Sequence, residues 1–129
     1  LPQNHWFEGI LLNHARFANQ FANWGFHIDG CQQLQVASYE AGQKYDWHRD
    51  DDLLNRSNPY HRKLTAVCQL SSHESFTGGG LFLKGEEGTV IKNQGDLIVF
   101  PSIYEHKAAT VESGRRITVV CWITGRHFA

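Results

Sequence analysis

Arg116-Ile117-Thr118-Val119-Val120-Cys121-Trp122-Ile123 is the stretch whose reading decides the fold. Its β-branched and aromatic content suits a pleated, half-buried surface. A period of two divides it into an apolar face (Ile117, Val119, Cys121, Ile123) and a mixed face (Arg116, Thr118, Val120, Trp122). Leu64-Thr65-Ala66-Val67-Cys68-Gln69-Leu70 alternates in the same way. Between the two lie Leu81 to Leu83 behind Gly78-Gly79-Gly80, a short Thr89 to Ile91, and Leu97 to Phe100, entered by Gln94-Gly95-Asp96 and closed by Pro101. Upstream, Leu34, Val36 and Ser38 alternate with Gln33, Gln35, Ala37 and Tyr39, and Tyr45 to Asp50 reads as a further extended piece after the turn Ala41-Gly42.

The first segment has a different period. Trp6, Phe7, Ile10, Leu11, His14, Phe17, Ala18 and Phe21 recur at three- and four-residue spacing, which predicts a helix with Asn4 as N-cap and Gly25 as a left-handed C-terminal cap. Its Trp6, Phe7, Phe17 and Phe21 are expected in the core. One helix followed by seven or more short strands predicts a mainly β chain, a sandwich or jelly roll. The stretch from Asp51 to His61 is polar and without period, a loop with the look of a lid, and Asp51 and Asp52 are expected to be solvated.

Composition bounds the function. The chain has 129 residues, the length of one domain, with 41% hydrophobic and 19% charged residues, which are globular values. A formal charge of −1 offers no field for nucleic acid or an acidic membrane, and no apolar run approaches the roughly 20 residues of a membrane span. Leu1-Pro2-Gln3-Asn4-His5 lacks a basic segment followed by an apolar one, so no secretory leader is expected there, and the absence of Met marks the chain as a fragment. Cys31, Cys68 and Cys121 form no paired framework and point to the cytoplasm or another reducing compartment, with Cys68 and Cys121 as buried thiols. Oligomeric state is not legible.

Eight histidines and thirteen acidic residues make one His-x-Asp pair close to a chance event, and the chain holds two, His27-Ile28-Asp29 and His48-Arg49-Asp50. Asp29-Gly30 has an adequate explanation as a turn. His48 and Asp50 follow a strand, where a two-residue spacing puts both side chains on one face, roughly 7 Å apart along the backbone. With a third ligand they would fill one triangular face of an octahedron, the arrangement diagnostic of non-haem Fe(II) oxygenases. His106, after the Leu97 strand, is the candidate third ligand. Arg116 lies ten residues on, and two residues flanking a hairpin at that separation can face one cavity. An Arg buried on such an apolar strand needs an anion, and its planar fork suits a carboxylate. Arg115 belongs to the opposite face. The sequence offers no argument for a partner of His5, His14, His61, His73 or His127.

The ordered set resembles the 2-oxoglutarate/Fe(II) dioxygenase superfamily, and within it the prolyl 4-hydroxylase-like branch. It runs from Tyr39, His48 and Asp50 through Arg62 and Thr65 to Gln69-Leu70-Ser71, then Gly78-Gly79-Gly80-Leu81-Phe82-Leu83. Gly95-Asp96-Leu97-Ile98-Val99-Phe100-Pro101-Ser102, His106 and Gly114-Arg115-Arg116 follow, leading to Trp122. The likeness covers about Gln35 to Ile123. It implies a double-stranded β-helix (jelly roll) spanning 31–124, with 1–25 as a supporting helix, in a single domain of 1–129. It implies Fe(II) on His48, Asp50 and His106, 2-oxoglutarate chelated through its keto-acid end with its far carboxylate on Arg116, and ascorbate as a reductant. Tyr39 matches a tyrosine near the co-substrate. Gln69 stands where several relatives place a tyrosine that contacts the far carboxylate, and Gly80 replaces an acidic residue. Arg62 and Trp122 match positions lining the peptide side.

The implied reaction is hydroxylation of a substrate C–H, first a peptidyl prolyl residue, with release of succinate and carbon dioxide. The intact Asp50 argues against halogenation. A free amino acid or other small molecule is the runner-up substrate. A nucleic-acid demethylase is disfavoured, because that branch carries a second Arg six residues past the anchor, where this chain has Trp122. From other classes come a non-catalytic jelly-roll module holding zinc or nothing, and a carbohydrate-binding sandwich using Trp47 and Tyr45.

Overall fold

The computed structural model describes residues 1–52 and 59–126. Its spine is the last strand. The alternating segment read from Arg116 to Ile123 extends in both directions to become β9, Val111–Arg126, sixteen residues long. Eight shorter strands precede it: β1 (Gly30–Cys31), β2 (Gln35–Glu40), β3 (Tyr45–His48), β4 (Tyr60–Gln69), β5 (Phe76–Gly78), β6 (Leu81–Leu83), β7 (Leu97–Pro101) and β8 (His106–Ala108). β9 pairs antiparallel with β4 from Tyr60↔Arg126 to Gln69↔Thr118, and with β2 from Gln35↔Val120 to Glu40↔Arg115. β1 and β5 add short ladders to it, and β7 pairs with β4. The second sheet is small, β3-β8-β6.

Period-two alternation gives the large sheet two different faces. On one, Leu64, Ala66, Cys68, Val119, Cys121 and Ile123 pack with Leu34 and with Leu11 and Ala15 of the helix α1, Trp6–Phe21. On the other, Val67 and Phe100 pack with Leu81, Leu83 and Ile91, and this second core joins the two sheets. The arrangement is the jelly roll expected, with its helix on the outer side of the large sheet.

The helix corrects several expectations. Trp6, Phe17 and Phe21 are 73%, 66% and 82% exposed, so they are not core; of the four, Phe7 alone packs against the core cluster. Leu11 and Ala15 are the buried residues of the helix, so the face it turns to the sheet is theirs and not that of the aromatic stripe. Asn4 is not the cap. It takes a left-handed φ of 61°, and His5 caps instead, its Nδ1 accepting from the Phe7 N–H at 3.1 Å. Asn23, not Gly25, supplies the left-handed exit at φ 59°. The Asn23 N–H donates to Gln20 O and the Trp24 N–H to Asn19 O, the two bonds of a Schellman motif.

Thr89 to Ile91 forms no strand. Its one contact with the sheet backbone is the Val90 N–H on Leu81 O at 3.0 Å, which holds the buried Ile91 in place without a ladder. The proposed lid falls largely on residues 53–58, outside the described residues, as does His127. Asp51 and Asp52 are half-buried and partnered rather than freely solvated. Asp51 accepts from Arg49 Nε at 2.6 Å, and Asp52 accepts from the Arg62 N–H at 2.9 Å and faces His61 Nδ1 at 3.2 Å. Cys68 and Cys121 are buried, as expected, and Cys31 is half-buried. Among the described residues no helix is long and apolar enough to cross a membrane.

Candidate metal and co-substrate site

His48 is the last residue of β3 and His106 the first of β8, and the two are Cα partners in the ladder. Their rings lie 4.2 Å apart, between Tyr45, 3.8 Å from His48, and Phe100, 4.8 Å from His106. Asp50 enters from just beyond β3. Its Oδ1 is 3.3 Å from His48 Nε2 and its Oδ2 is 3.2 Å from His106 Nε2. One ligand atom from each of the three lies within 4.8 Å of the others, the one such group of three among the described residues.

The tautomers follow from the backbone. His48 Nδ1 meets Asp46 O at 2.7 Å and His106 Nδ1 meets Tyr104 O at 3.0 Å. A carbonyl only accepts, so each Nδ1 carries the proton and each Nε2 lone pair faces the cluster, as a metal ligand requires. Burial pushes the Asp50 carboxyl upward, but hydrogen bonding and charge from His106 outweigh it, helped by Thr65, and hold it below its ordinary value. The Trp122 indole N–H acts in the same direction, although it forms no hydrogen bond of good geometry. Burial pushes His106 downward, and the Asp50 hydrogen bond and charge, with the Tyr104 carbonyl, more than reverse this.

The cluster opens into a cavity of about 260 Å³ that also receives Tyr39, Thr65, Arg116 and Trp122, with Val67, Leu81, Ala108 and Val120 as apolar wall. Arg116 is 2% exposed, and its Nε and Nη2 have no partner among the described residues. Burial pulls its pKa down; the nearby Tyr39 only partly opposes that. A buried guanidinium with two idle donors is costly unless an anion completes it. Beside it, Gly79 takes a left-handed φ of 68°, and a Cβ there would press on Val111 Cγ2 at 3.0 Å. The residues therefore fit both groups, a divalent metal on N, N and O donors and an anionic co-substrate on Arg116.

The other expected residues are placed unevenly. Tyr39 is the cross-strand partner of Arg116 and lines the cavity. Trp122 lines it too, and its buried Nε1 has no hydrogen-bond partner of good geometry among the described residues. Arg62 lies outside the lining, its guanidinium 3.9 Å over the Trp122 ring and its Nε on Gln32 Oε1 at 3.1 Å. Gln69 also stands off the lining. Its Nε2 donates to Lys92 O and Ser71 O, and its buried Oε1 has no partner among the described residues. His27 and Asp29 bond each other at the surface, 2.9 Å apart, away from the cluster. Trp47 has Lys107 Nζ 4.9 Å above its ring.

Two functional residues had no role in the sequence reading. Thr65 and Ser102 occur in the quoted motifs; the Thr65 hydroxyl reaches Asp50 Oδ2 at 2.9 Å, and the Ser102 hydroxyl lies 3.0 Å from that of Thr65. For Thr65 the signal was present, since alternation puts it on the face of Val67 and opposite Trp122. For Ser102, just past a strand end, there was none.

Residues 34–124 match the sequence profile of the 2OG-Fe(II) oxygenase superfamily. A PKHD-type hydroxylase of Crocosphaera subtropica is 28% identical over 124 residues, 95% of this chain and 55% of that protein. The chain thus spans about half the length of the curated relatives it matches. Among solved structures, the viral collagen prolyl hydroxylase of Paramecium bursaria Chlorella virus-1, in a 2OG complex, superposes with a TM-score of 0.73 at 23% identity, covering 100% of this chain and 77% of that one. A Pseudomonas putida prolyl-4-hydroxylase superposes with a TM-score of 0.66 at 24% identity, covering 98% and 69%. With the profile spanning most of its length and the metal and anion sites converging on one cavity, the chain belongs to the 2OG-Fe(II) oxygenase superfamily, whose cofactors are Fe(II) and 2-oxoglutarate.

Proposed function

We propose that this chain is a hydroxylase that binds Fe(II) on His48, Asp50 and His106, seats the distal carboxylate of 2-oxoglutarate on Arg116, and hydroxylates a peptidyl prolyl residue, releasing succinate and carbon dioxide. The observation that carries this reading is the convergence of a three-ligand cluster and an unpaired buried guanidinium on one cavity. Iron, once loaded with 2-oxoglutarate and dioxygen, supplies the oxidising power for C–H cleavage. The protein supplies the rest. The Asp46 and Tyr104 carbonyls hold both imidazoles in the ligating tautomer. Arg116 and Tyr39 fix one end of the co-substrate, and Val67, Leu81, Ala108 and Val120 keep the reacting region dry.

The prolyl substrate rests on the names of the relatives, a PKHD-type hydroxylase and two prolyl hydroxylases, together with the character of the rim. Tyr45, 54% exposed, and the half-buried Trp122 offer flat aromatic surfaces of the kind on which proline-rich backbones dock. Arg62, held over Trp122, serves to fix that ring. The three free thiols suit a reducing compartment such as the cytoplasm.

Anaerobic addition of Fe(II) and 2-oxoglutarate to the metal-free protein is the test, followed by turnover with ascorbate present. A visible charge-transfer band, lost in His48→Ala, and a gain of one oxygen atom by a proline-rich peptide are expected. Metal binding with no band and no succinate would leave a non-catalytic jelly-roll module. Succinate coupled to a free amino acid but to no peptide would replace the substrate.

A further inference from the structure

Asp50 is the one proposed ligand that no strand ladder holds. His48 and His106 face each other across β3 and β8, whereas Asp50 lies two residues past the end of β3. It is nonetheless only 8% exposed, and it is gripped from the opposite sheet. The Asp50 and Asp51 N–H groups both donate to Ser102 O, at 2.9 and 3.1 Å. The Ser102 N–H in turn donates to Lys63 O at 2.9 Å. Thr65, on β4, points its hydroxyl at Asp50 Oδ2 from 2.9 Å, and the Thr65 and Ser102 hydroxyl oxygens are 3.0 Å apart. Thr65 and Ser102 are 1% and 0% exposed, so no bulk water competes for these protons.

The direction of the chain follows from valence. An ionised carboxylate only accepts, so the Thr65 proton is committed to Asp50. Thr65 Oγ1 must then be the acceptor in its contact with Ser102, and the Ser102 hydroxyl donates to it. The result is an ordered series, Ser102 to Thr65 to Asp50, ending on the oxygen nearer His106.

We propose that Thr65 and Ser102 are positioning residues for the metal. Their hydroxyl series, with the Ser102 carbonyl beneath it, locks the Asp50 carboxylate in one orientation and occupies a lone pair of Oδ2, so that the carboxylate offers the metal a single oxygen. A free carboxylate would be able to turn and grip with both oxygens, and would then block a coordination position that co-substrate or oxygen needs. Neither hydroxyl touches the metal position in this account; both act through Asp50. The inference rests on the metal assignment made above. What it adds is that β4 and the residue just past β7, which supply no ligand, govern how tightly the site holds its ion.

The test uses Mn(II) as probe, titrated calorimetrically into the metal-free wild-type chain and into Thr65→Val, Thr65→Ser and Ser102→Ala, together with the visible spectrum of each protein loaded with Co(II). Valine keeps the shape of threonine and removes the donor. Thr65→Val is expected to weaken Mn(II) binding about 10- to 100-fold, the usual effect of losing an outer-shell partner. Its Co(II) spectrum should change as well. Ser102→Ala is expected to give a smaller loss in the same direction. Thr65→Ser, which restores the proton, is expected to recover wild-type affinity and spectrum, a rescue that a purely packing role would not produce. Equal Mn(II) affinity and an unchanged Co(II) spectrum in Thr65→Val overturn the proposal and leave the metal site standing. Should Thr65→Val fail to fold, Ser102→Ala decides on the same criteria. Failure of the wild-type chain to bind Mn(II) or Co(II) at all would sink the metal assignment, and this inference with it.

Discussion

Arg116→Met separates what the buried guanidinium does for the fold from what it does for the ligand. Arg116 is 2% exposed, and its Nε and Nη2 donors have no partner among the described residues. Each unsatisfied buried donor costs about 1–3 kcal/mol. Waters entering the cavity recover part of this, so a net penalty of about 1–2 kcal/mol is the conservative figure. Methionine keeps most of the stem volume, and removing a buried, uncompensated charge in favour of an apolar chain is commonly neutral to stabilising. The variant should therefore melt higher than the wild type without ligand, by about 4–8 °C for a chain of this size. With the metal bound and 2-oxoglutarate at a hundred times its Kd, the wild type should gain about 2.7 kcal/mol and overtake it. The variant should gain from the metal alone. Thermal unfolding with Mn(II), with and without 2-oxoglutarate, reads both effects. A variant that is less stable without ligand, or that keeps the 2-oxoglutarate shift, would refute the assignment of Arg116 as an anion site held open at the expense of stability.

His106→Ala removes a ligand atom directly, so its Mn(II) affinity should fall further than the roughly 10–100-fold of an outer-shell change, while isothermal titration should show Arg116→Met binding Mn(II) as the wild type does. Proton competition gives a pH signature. His106 is raised above 6.5 in the fold, so its contribution to the metal-free protein is complete below pH 6.5 and is lost as pH climbs through the raised value. Asp50 is depressed below 3.8, so its contribution is present above pH 3.8 and is lost as pH falls through the depressed value. Metal needs His106 neutral. Above pH 6.5 the metal-free melting temperature should therefore drift down while Mn(II) affinity rises, and an affinity independent of pH would contradict the geometry. Gly114→Ala should be among the most damaging small substitutions, because at φ 78° its Cβ would overlap Ser75 O. A loss of about 2–4 kcal/mol is expected, with weakened 2-oxoglutarate binding, since Gly114 pairs with Phe76 just ahead of Arg116; both are measurable by the same melting assay.

How much of this was legible from the residues depended on length and repetition. β4 and β9 alternate over many residues, and their two faces could be assigned before any coordinates, which is why Arg116 was correctly turned inward and Arg115 outward onto Glu40 at 2.6 Å. β1, β5 and β8 are two or three residues long, too short for a period to appear. His106 accordingly looked like a loop residue and is in fact the first residue of β8. The helix was found, but its buried side was misjudged, because Trp6, Phe17 and Phe21 follow a helical spacing as well as Leu11 and Ala15 do. Spacing alone does not say which of two apolar stripes a sheet will accept; the smaller one docks closer. The metal ligands were legible because their chemistry restricts them to a few residue types. The hydroxyls of Thr65 and Ser102 were not, because serine and threonine are common in strands and at strand ends for many unrelated reasons.

The division of labour between the sheets explains why this fold can keep a reactive site in a short chain. Two ligands, His48 and His106, come from the small sheet, and the anion anchor Arg116 comes from the large one. Ligands on separate layers are useful only if the layers keep their distance. The apolar contact of Val67 and Phe100 with Leu81, Leu83 and Ile91 sets that distance but carries no directional information. Asp50 does carry it. It follows the small sheet in sequence and is bonded to β4 and to the end of β7 through Thr65 and Ser102. A metal on His48, Asp50 and His106 would close this link from the small sheet back to itself. A co-substrate reaching Arg116 would close a second one through β9. The co-substrate would then add a directional tie between the sheets, beside the apolar packing and the Asp50 hydrogen bonds, so the site should become more rigid as it loads. The two Arg116 donors that have no partner among the described residues are the part of that arrangement the co-substrate would complete.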